Sequence, residues 1–157
     1  GSAQSSARAA APNSLETIYE FAASALSAAI QATHDEIAKT ETKPIPPAMR
    51  RQLATVFLPE LLDRVRYRVT QDGTFGLQAF QYGEVQAMTL IDMVVFRSEQ
   101  DALTNDVLWA HELTHVTQYD RWGVEEFARR YVRDHAAVEA EAYGFQAAYE
   151  KRKANAK

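Results

Sequence analysis

Two histidines bracket a glutamate in His111-Glu112-Leu113-Thr114-His115, and this pattern constrains the chain more than any other feature. In an α-helix, residues four apart are offset by only about 40° and rise about 6 Å, so both imidazoles leave one face and can meet on a single cation. Glu112 points about 100° away from His111, which sets a carboxylate beside such a cation rather than on it, where a base would sit. The neighbours Val107, Leu108, Ala110, Val116 and Tyr119 give this helix, expected over about 104–119, an apolar side that buries the histidines. The bland alternative is a pair of hydrogen-bonded core histidines next to a surface glutamate. A random ordering of the same residues would contain the pattern only about 0.008 times, which favours a metal site.

The chain has 157 residues and no cysteine, so His, Asp and Glu are the strong ligands left to it, and zinc is the expected ion. An open zinc site needs a third protein ligand. The next helix, expected over about 124–149 after a stop at Gly123, offers His135, Glu139 and Glu141. With Phe127, Tyr131, Val138, Ala142, Phe145 and Tyr149 as its inward stripe, Glu141 and Glu139 lie about 75° and 85° to either side, so periodicity does not choose between them. His135 lies nearer the centre and reads as a core histidine or a support to a ligand. His34 reads as a solvated surface residue. Tyr119, Tyr131, Tyr143 and Tyr149 surround the region, and their helical spacing reads as core rather than catalysis. Arg129, Arg130 and Arg133 neighbour Glu125, Glu126 and Asp134, which is the pattern of a solvated helix face laced with ion pairs.

Elsewhere the chain reads as one small domain. Asn13 with Glu16 has the form of a capping box, and Leu15, Ile18, Tyr19, Ala22, Leu26, Ala29, Ile30 and Ile37 continue at helical spacing, so a long first helix is expected. Lys43-Pro44-Ile45-Pro46-Pro47 ends it, and a shorter helix comes next, from Pro47 to about Phe57. Val65, Tyr67 and Val69 alternate with Arg64, Arg66, Arg68 and Thr70 as in a strand with one wet face, closed by a turn at Gln71-Asp72-Gly73. Two more short strands are expected around Val85–Leu90 and Met93–Phe96. This order, helices then a small sheet then helices, is that of an α+β domain over residues 13–150. Residues 1–12 read as a flexible tether beginning with a cloning remnant, and residues 151–157 as a basic tail.

The formal charge of −4, with its positive residues scattered, lacks the basic footprint of nucleic-acid binding. No apolar run reaches the roughly 20 residues of a membrane-spanning helix. The Ala/Ser-rich start resembles the tether left behind when a signal peptide is removed, which puts periplasm or secretion among the expected compartments.

The motif resembles the hallmark helix of the zincin metallopeptidases, whose Glu-zincin branch takes its third ligand from a later helix. The longer run Trp109-Ala110-His111-Glu112-Leu113-Thr114-His115-Val116-Thr117-Gln118 is similar to the signature of a bacterial domain associated with extracellular contractile injection systems. Pro47-Ala48-Met49-Arg50, Val65-Arg66-Tyr67 and Met93-Val94-Val95-Phe96 also fit that family, so the likeness covers roughly Pro46 to Gln118. It departs at Tyr119, where the family commonly has a second Gln, and in continuing past the point where many members end. Related Glu-zincins carry the third ligand in an E-A-x-x-F pattern, which Glu141-Ala142-Tyr143-Gly144-Phe145 matches, so the resemblance implies Glu141.

The resemblance thus implies a zincin-like domain in which Zn2+ held by His111, His115 and Glu141 activates water, Glu112 takes its proton, and a peptide or protein substrate lies against an edge strand, Met93–Phe96 or its neighbour. Two rivals stand beside this expectation: a non-catalytic zinc-binding or assembly module with a closed four-ligand site, and a zinc hydrolase of cell-wall amides. The oligomeric state has no signature in the sequence.

Overall fold

The computed structural model describes residues 14–70 and 86–156. Asn13, the turn at residues 71–73, Gly76, Gly83 and the tether lie outside the described residues. Helix α1 spans Ser14–Ala38. Strand β1 is Lys43–Pro44, within the segment expected only to break the first helix. Helix α2, Pro47–Leu53, ends four residues short of the expected Phe57, and a separate helix α3 covers Pro59–Arg64. Each has its proline in the first turn, where the missing N–H costs nothing, so Pro59 starts a new helix rather than merely ending the last.

Strand β2, Arg66–Val69, carries the expected alternation, with Tyr67 buried and Arg66 exposed. Strands β3, Ala87–Leu90, and β4, Met93–Phe96, are joined at Ile91-Asp92, where Ile91 takes the left-handed φ of 63°. The sheet order is β1-β2-β4-β3, with β2 and β4 parallel and both outer pairs antiparallel. Met93–Phe96 is therefore an interior strand, and among the described residues its neighbour β3 is the edge. A short helix α4, Glu99–Thr104, was not expected from the sequence; Ser98 Oγ caps it by accepting from the Asp101 amide at 3.1 Å.

Helix α5 runs from Asp106 to Asn155 and is broken twice. Gly123 has φ 77° and ψ 167°, a backbone conformation essentially reserved for glycine. Asp134 also leaves helical geometry, and its Oδ1 accepts from the Ala137 amide at 3.1 Å, so it caps a new segment. The expected stop at Gly123 is thus present, and Asp134 adds a second. The last segment returns antiparallel to the first: Tyr149 and Lys153 both reach Asp106, each at 2.6 Å. Lys153, within the expected basic tail, is therefore part of the folded helix.

Two clusters fill the interior. One packs Tyr67, Val94 and Phe96 against Trp109, Leu113 and Val116 of α5. The other packs Leu90 and Met93 against Leu26, Ile30 and Ile37 of α1, together with Tyr119, Phe127 and Val138. Helix α1 and the start of the first segment of α5 therefore lie in different clusters and meet only near the segment's end, at Tyr119, while strand β3 runs beside the histidines. This is the α+β arrangement expected, with a long first helix, a small mixed sheet and a closing helical pair.

Candidate metal centre

His111, Glu112 and His115 lie in the buried middle of the first segment of α5. The return of the last segment brings Glu139 to them, with its Oε1 2.9 Å from His111 Nε2 and 3.2 Å from His115 Nε2. One ligand atom from each of these three residues falls within 4.8 Å of the others. Two imidazole nitrogens and one carboxylate oxygen could hold a metal ion, and they are donor types that suit zinc, so the residues present fit the ion expected from the sequence.

Glu141, the third ligand implied by resemblance, is placed elsewhere. It is exposed, and its Oε1 meets Arg121 at 2.5 Å and the Gln118 amide nitrogen at 2.8 Å. In the last segment Val138, Ala142 and Tyr149 point inward, and Glu139 and Glu141 stand to opposite sides of that line. The two histidines lie on the Glu139 side, whereas Glu141 meets the later part of the same segment at Gln118 and Arg121. His135 is exposed beside Tyr131, with ring centres 5.9 Å apart, and lines the cavity without joining the group.

Each imidazole is held from behind. His111 Nδ1 faces Gln146 Oε1 at 3.0 Å, and His115 Nδ1 faces Gln118 Oε1 at 2.7 Å. Neither glutamine stood out as a site residue in the sequence, although Gln118, three residues beyond His115, shares its helix face. Burial disfavours a charge on His115, but the Glu139 carboxylate that accepts from it, with the charge of Glu112, outweighs burial and raises it to about 9. Glu139 pays for burial too, yet the hydrogen bonds from His111 and His115 hold its carboxyl well below the usual range. A proton and a metal ion compete for the same imidazole lone pair, and this cluster attracts either.

Glu112 stays out of the ligand group and is 5% exposed. Thr89 Oγ1 on β3 donates to its Oε1 at 2.8 Å. Burial pushes the Glu112 carboxyl up, against the opposing pull of His115, His111 and the Thr89 hydroxyl. The group borders a cavity of about 840 Å³, with β3 along one side and Leu26 and Ile30 of α1 as part of its wall. Tyr119, Phe127 and Tyr131 form a stacked shelf, with successive ring centres 3.9 and 5.8 Å apart. Tyr143 is exposed over the opening, its ring centre 4.6 Å from that of His111, whereas Tyr149 is core and hydrogen-bonds to Asp106.

Two other expectations change. His34 is not a free surface residue: its Nε2 lies 2.7 Å from Asp92 and its Nδ1 3.0 Å from Asp35, tying α1 to the β3–β4 turn. The arginine cluster is more than a solvated face. Arg129 and Arg130 do pair with Glu126 in their own segment, but Arg129 also reaches Glu20, and Arg133 pairs with Glu16 and Glu20, all on α1.

An α+β domain with a His-His-Glu group at the mouth of a cavity is the class these observations define. A family model, the eCIS core domain, matches residues 44–123, half of the chain, and the chain belongs to that family. The matched region contains His111, Glu112 and His115 but neither Glu139 nor α1. No curated protein and no solved structure matches the chain. Among the described residues, no helix is long and apolar enough to cross a membrane.

Proposed function

We propose that this domain is a zinc-dependent metallopeptidase in which His111, His115 and Glu139 hold the ion and Glu112 is the general base. The observation that carries the reading is the convergence of three ligand atoms at an open cavity, beside a buried carboxyl that is not one of them. Structural zinc sites close with four protein ligands, whereas catalytic ones keep three and leave a position for water or substrate. Bound there, zinc would activate water and polarise the scissile carbonyl.

Glu112 takes the proton as water attacks and returns it to the leaving amine. Its burial favours the protonated form, which suits a group that must hold a proton midway, and the Thr89 hydroxyl holds its Oε1 in place. The Arg97 amide donates to Gln86 O, so in β3 the backbone groups of Ala87 and Thr89 point away from β4, toward a side that no other strand pairs with among the described residues, and the Tyr119 hydroxyl donates to Thr89 O there at 3.3 Å. An extended peptide adding a strand there, with an apolar side chain on the Tyr119–Phe127–Tyr131 shelf, is the substrate class this cleft suits. Membership of the eCIS core family supports a module that works with a secretion apparatus, in a secreted or extracellular setting.

Zymograms on casein and on peptidoglycan, run with added zinc, test the reading. Wild type is expected to clear casein, Glu112→Gln to keep zinc and lose at least about 100-fold in rate, and His115→Ala to lose both. Turnover retained in Glu112→Gln would remove the proposed base. Clearing of peptidoglycan alone would shift the substrate to cell-wall amides, and clearing of neither would leave an assembly module.

A further inference from the structure

Gln118 has no exposed surface, and both of its amide hydrogens and its oxygen are engaged. Its amide nitrogen donates to Val138 O at 3.0 Å and to Glu141 Oε1 at 2.8 Å, both of which only accept. The carboxamide therefore has one possible orientation, with Oε1 toward His115 Nδ1 at 2.7 Å. An oxygen there requires Nδ1 to carry a hydrogen, so once the ring gives up one proton to become neutral, Nε2 is the nitrogen left with a lone pair to offer an ion. That nitrogen is the one facing Glu139.

The two acceptors of Gln118 also bracket Glu139 in sequence, one residue before it and two after. A single amide thus aims the His115 ligand atom and anchors the turn of helix that presents Glu139. Glu141 is held in its turn by Arg121 at 2.5 Å, so the anchor continues to the surface. His111 has a looser support, since Gln146 leans on Glu150 at 3.5 Å.

We infer that Gln118 is the positioning residue of the metal centre, setting the His115 tautomer and the place of Glu139 together, and that Glu141 serves the site by holding Gln118 rather than by binding the ion. This inference rests on the metal reading above. A neutral histidine with its remote N–H engaged is a better ligand, and loss of such a partner typically weakens metal binding by about 10–100-fold.

The test is the zinc dissociation constant, by competition with a chromogenic chelator, for wild type, Gln118→Glu, Gln118→Leu and Glu141→Leu, each also loaded with Co2+ for its visible spectrum. Gln118→Glu keeps an acceptor for His115 but loses the donor to Val138 and places a second carboxylate against Glu141. We expect zinc binding at least tenfold weaker in both Gln118 variants and several-fold weaker in Glu141→Leu. The Co2+ bands of Gln118→Glu should shift in a protein whose metal-free melting shows it is folded. Gln118→Glu that binds zinc within twofold of wild type with an unshifted Co2+ spectrum would overturn the role given to Gln118 and leave the metal site standing. Wild type that takes up no zinc would overturn both.

Discussion

Thr89 Oγ1 donates to Glu112 Oε1 at 2.8 Å and lies 3.1 Å from the Glu112 carbonyl oxygen, so a strand-edge hydroxyl sets the orientation of the one buried carboxyl beside the histidines. If Glu112 is the base, its aim depends on this contact. Thr89→Val, nearly the same volume, should keep stoichiometric zinc and lose about 10-fold or more in kcat/KM on a peptide substrate. An unchanged rate constant with zinc retained would mean that Thr89 only fills space.

Ile37 tests whether α1, which lies outside the family match, belongs to the fold. It is completely buried and packs in the cluster containing Leu90, Met93 and Tyr119. Ile37→Ala should cost about 2–5 kcal/mol in chemical denaturation. A cost below about 1 kcal/mol would make α1 an appendage rather than a wall of the core and of the cavity.

Gly123 carries the backbone from the histidine segment toward the one bearing Glu139. A Cβ there would meet nothing within 4 Å, so the penalty of Gly123→Ala comes from its φ of 77° alone. A loss of about 1–3 kcal/mol is expected, read from the denaturation midpoint. Equal stability would show that the turn adapts.

His34 gives a pH dependence with a definite sign. Burial lowers its pKa, but the hydrogen bonds to Asp35 and Asp92 and their charges outweigh burial and raise it above the ordinary value. The folded state therefore holds its proton more tightly than the unfolded one. The resulting stability is fully present below about pH 6.5 and fades as pH rises through the elevated value. Asp92→Asn should cost about 1 kcal/mol at pH 6 and less at pH 8, by urea denaturation at the two values. A cost that grows with pH would contradict the arrangement.

The part of the site within one helix was legible because helix geometry is local. The spacing of His111 and His115 and the offset of Glu112 come directly from 3.6 residues per turn, and the apolar alternation of β2 needed only a period of two. The choice between Glu139 and Glu141 was not legible. They stand on opposite sides of the line through Val138, Ala142 and Tyr149, and only the direction in which the chain returns decides which one meets the histidines. That return depends on the break at Asp134. A stripe drawn from Phe127 through Tyr149 joins two segments that do not share an axis, although Asp134 three residues before Ala137 has the form of a cap. The E-A-x-x-F likeness drew attention to Glu141, whose Ala142 is indeed buried, while Glu141 itself faces Arg121. Gln118 was visible one turn from His115, but its partners at 138 and 141 are twenty and twenty-three residues away. His34 read as surface because Asp92, its partner, is 58 residues distant.

The central claim is that His111, His115 and Glu139 share one metal ion. Native mass spectrometry of protein purified without a metal-affinity column, then equilibrated with zinc, measures it directly. One zinc per chain in wild type, lost in Glu139→Ala and retained though weakened in Glu141→Ala, is the predicted result. Zinc lost from Glu141→Ala but bound normally by Glu139→Ala, or no zinc in wild type, would contradict it.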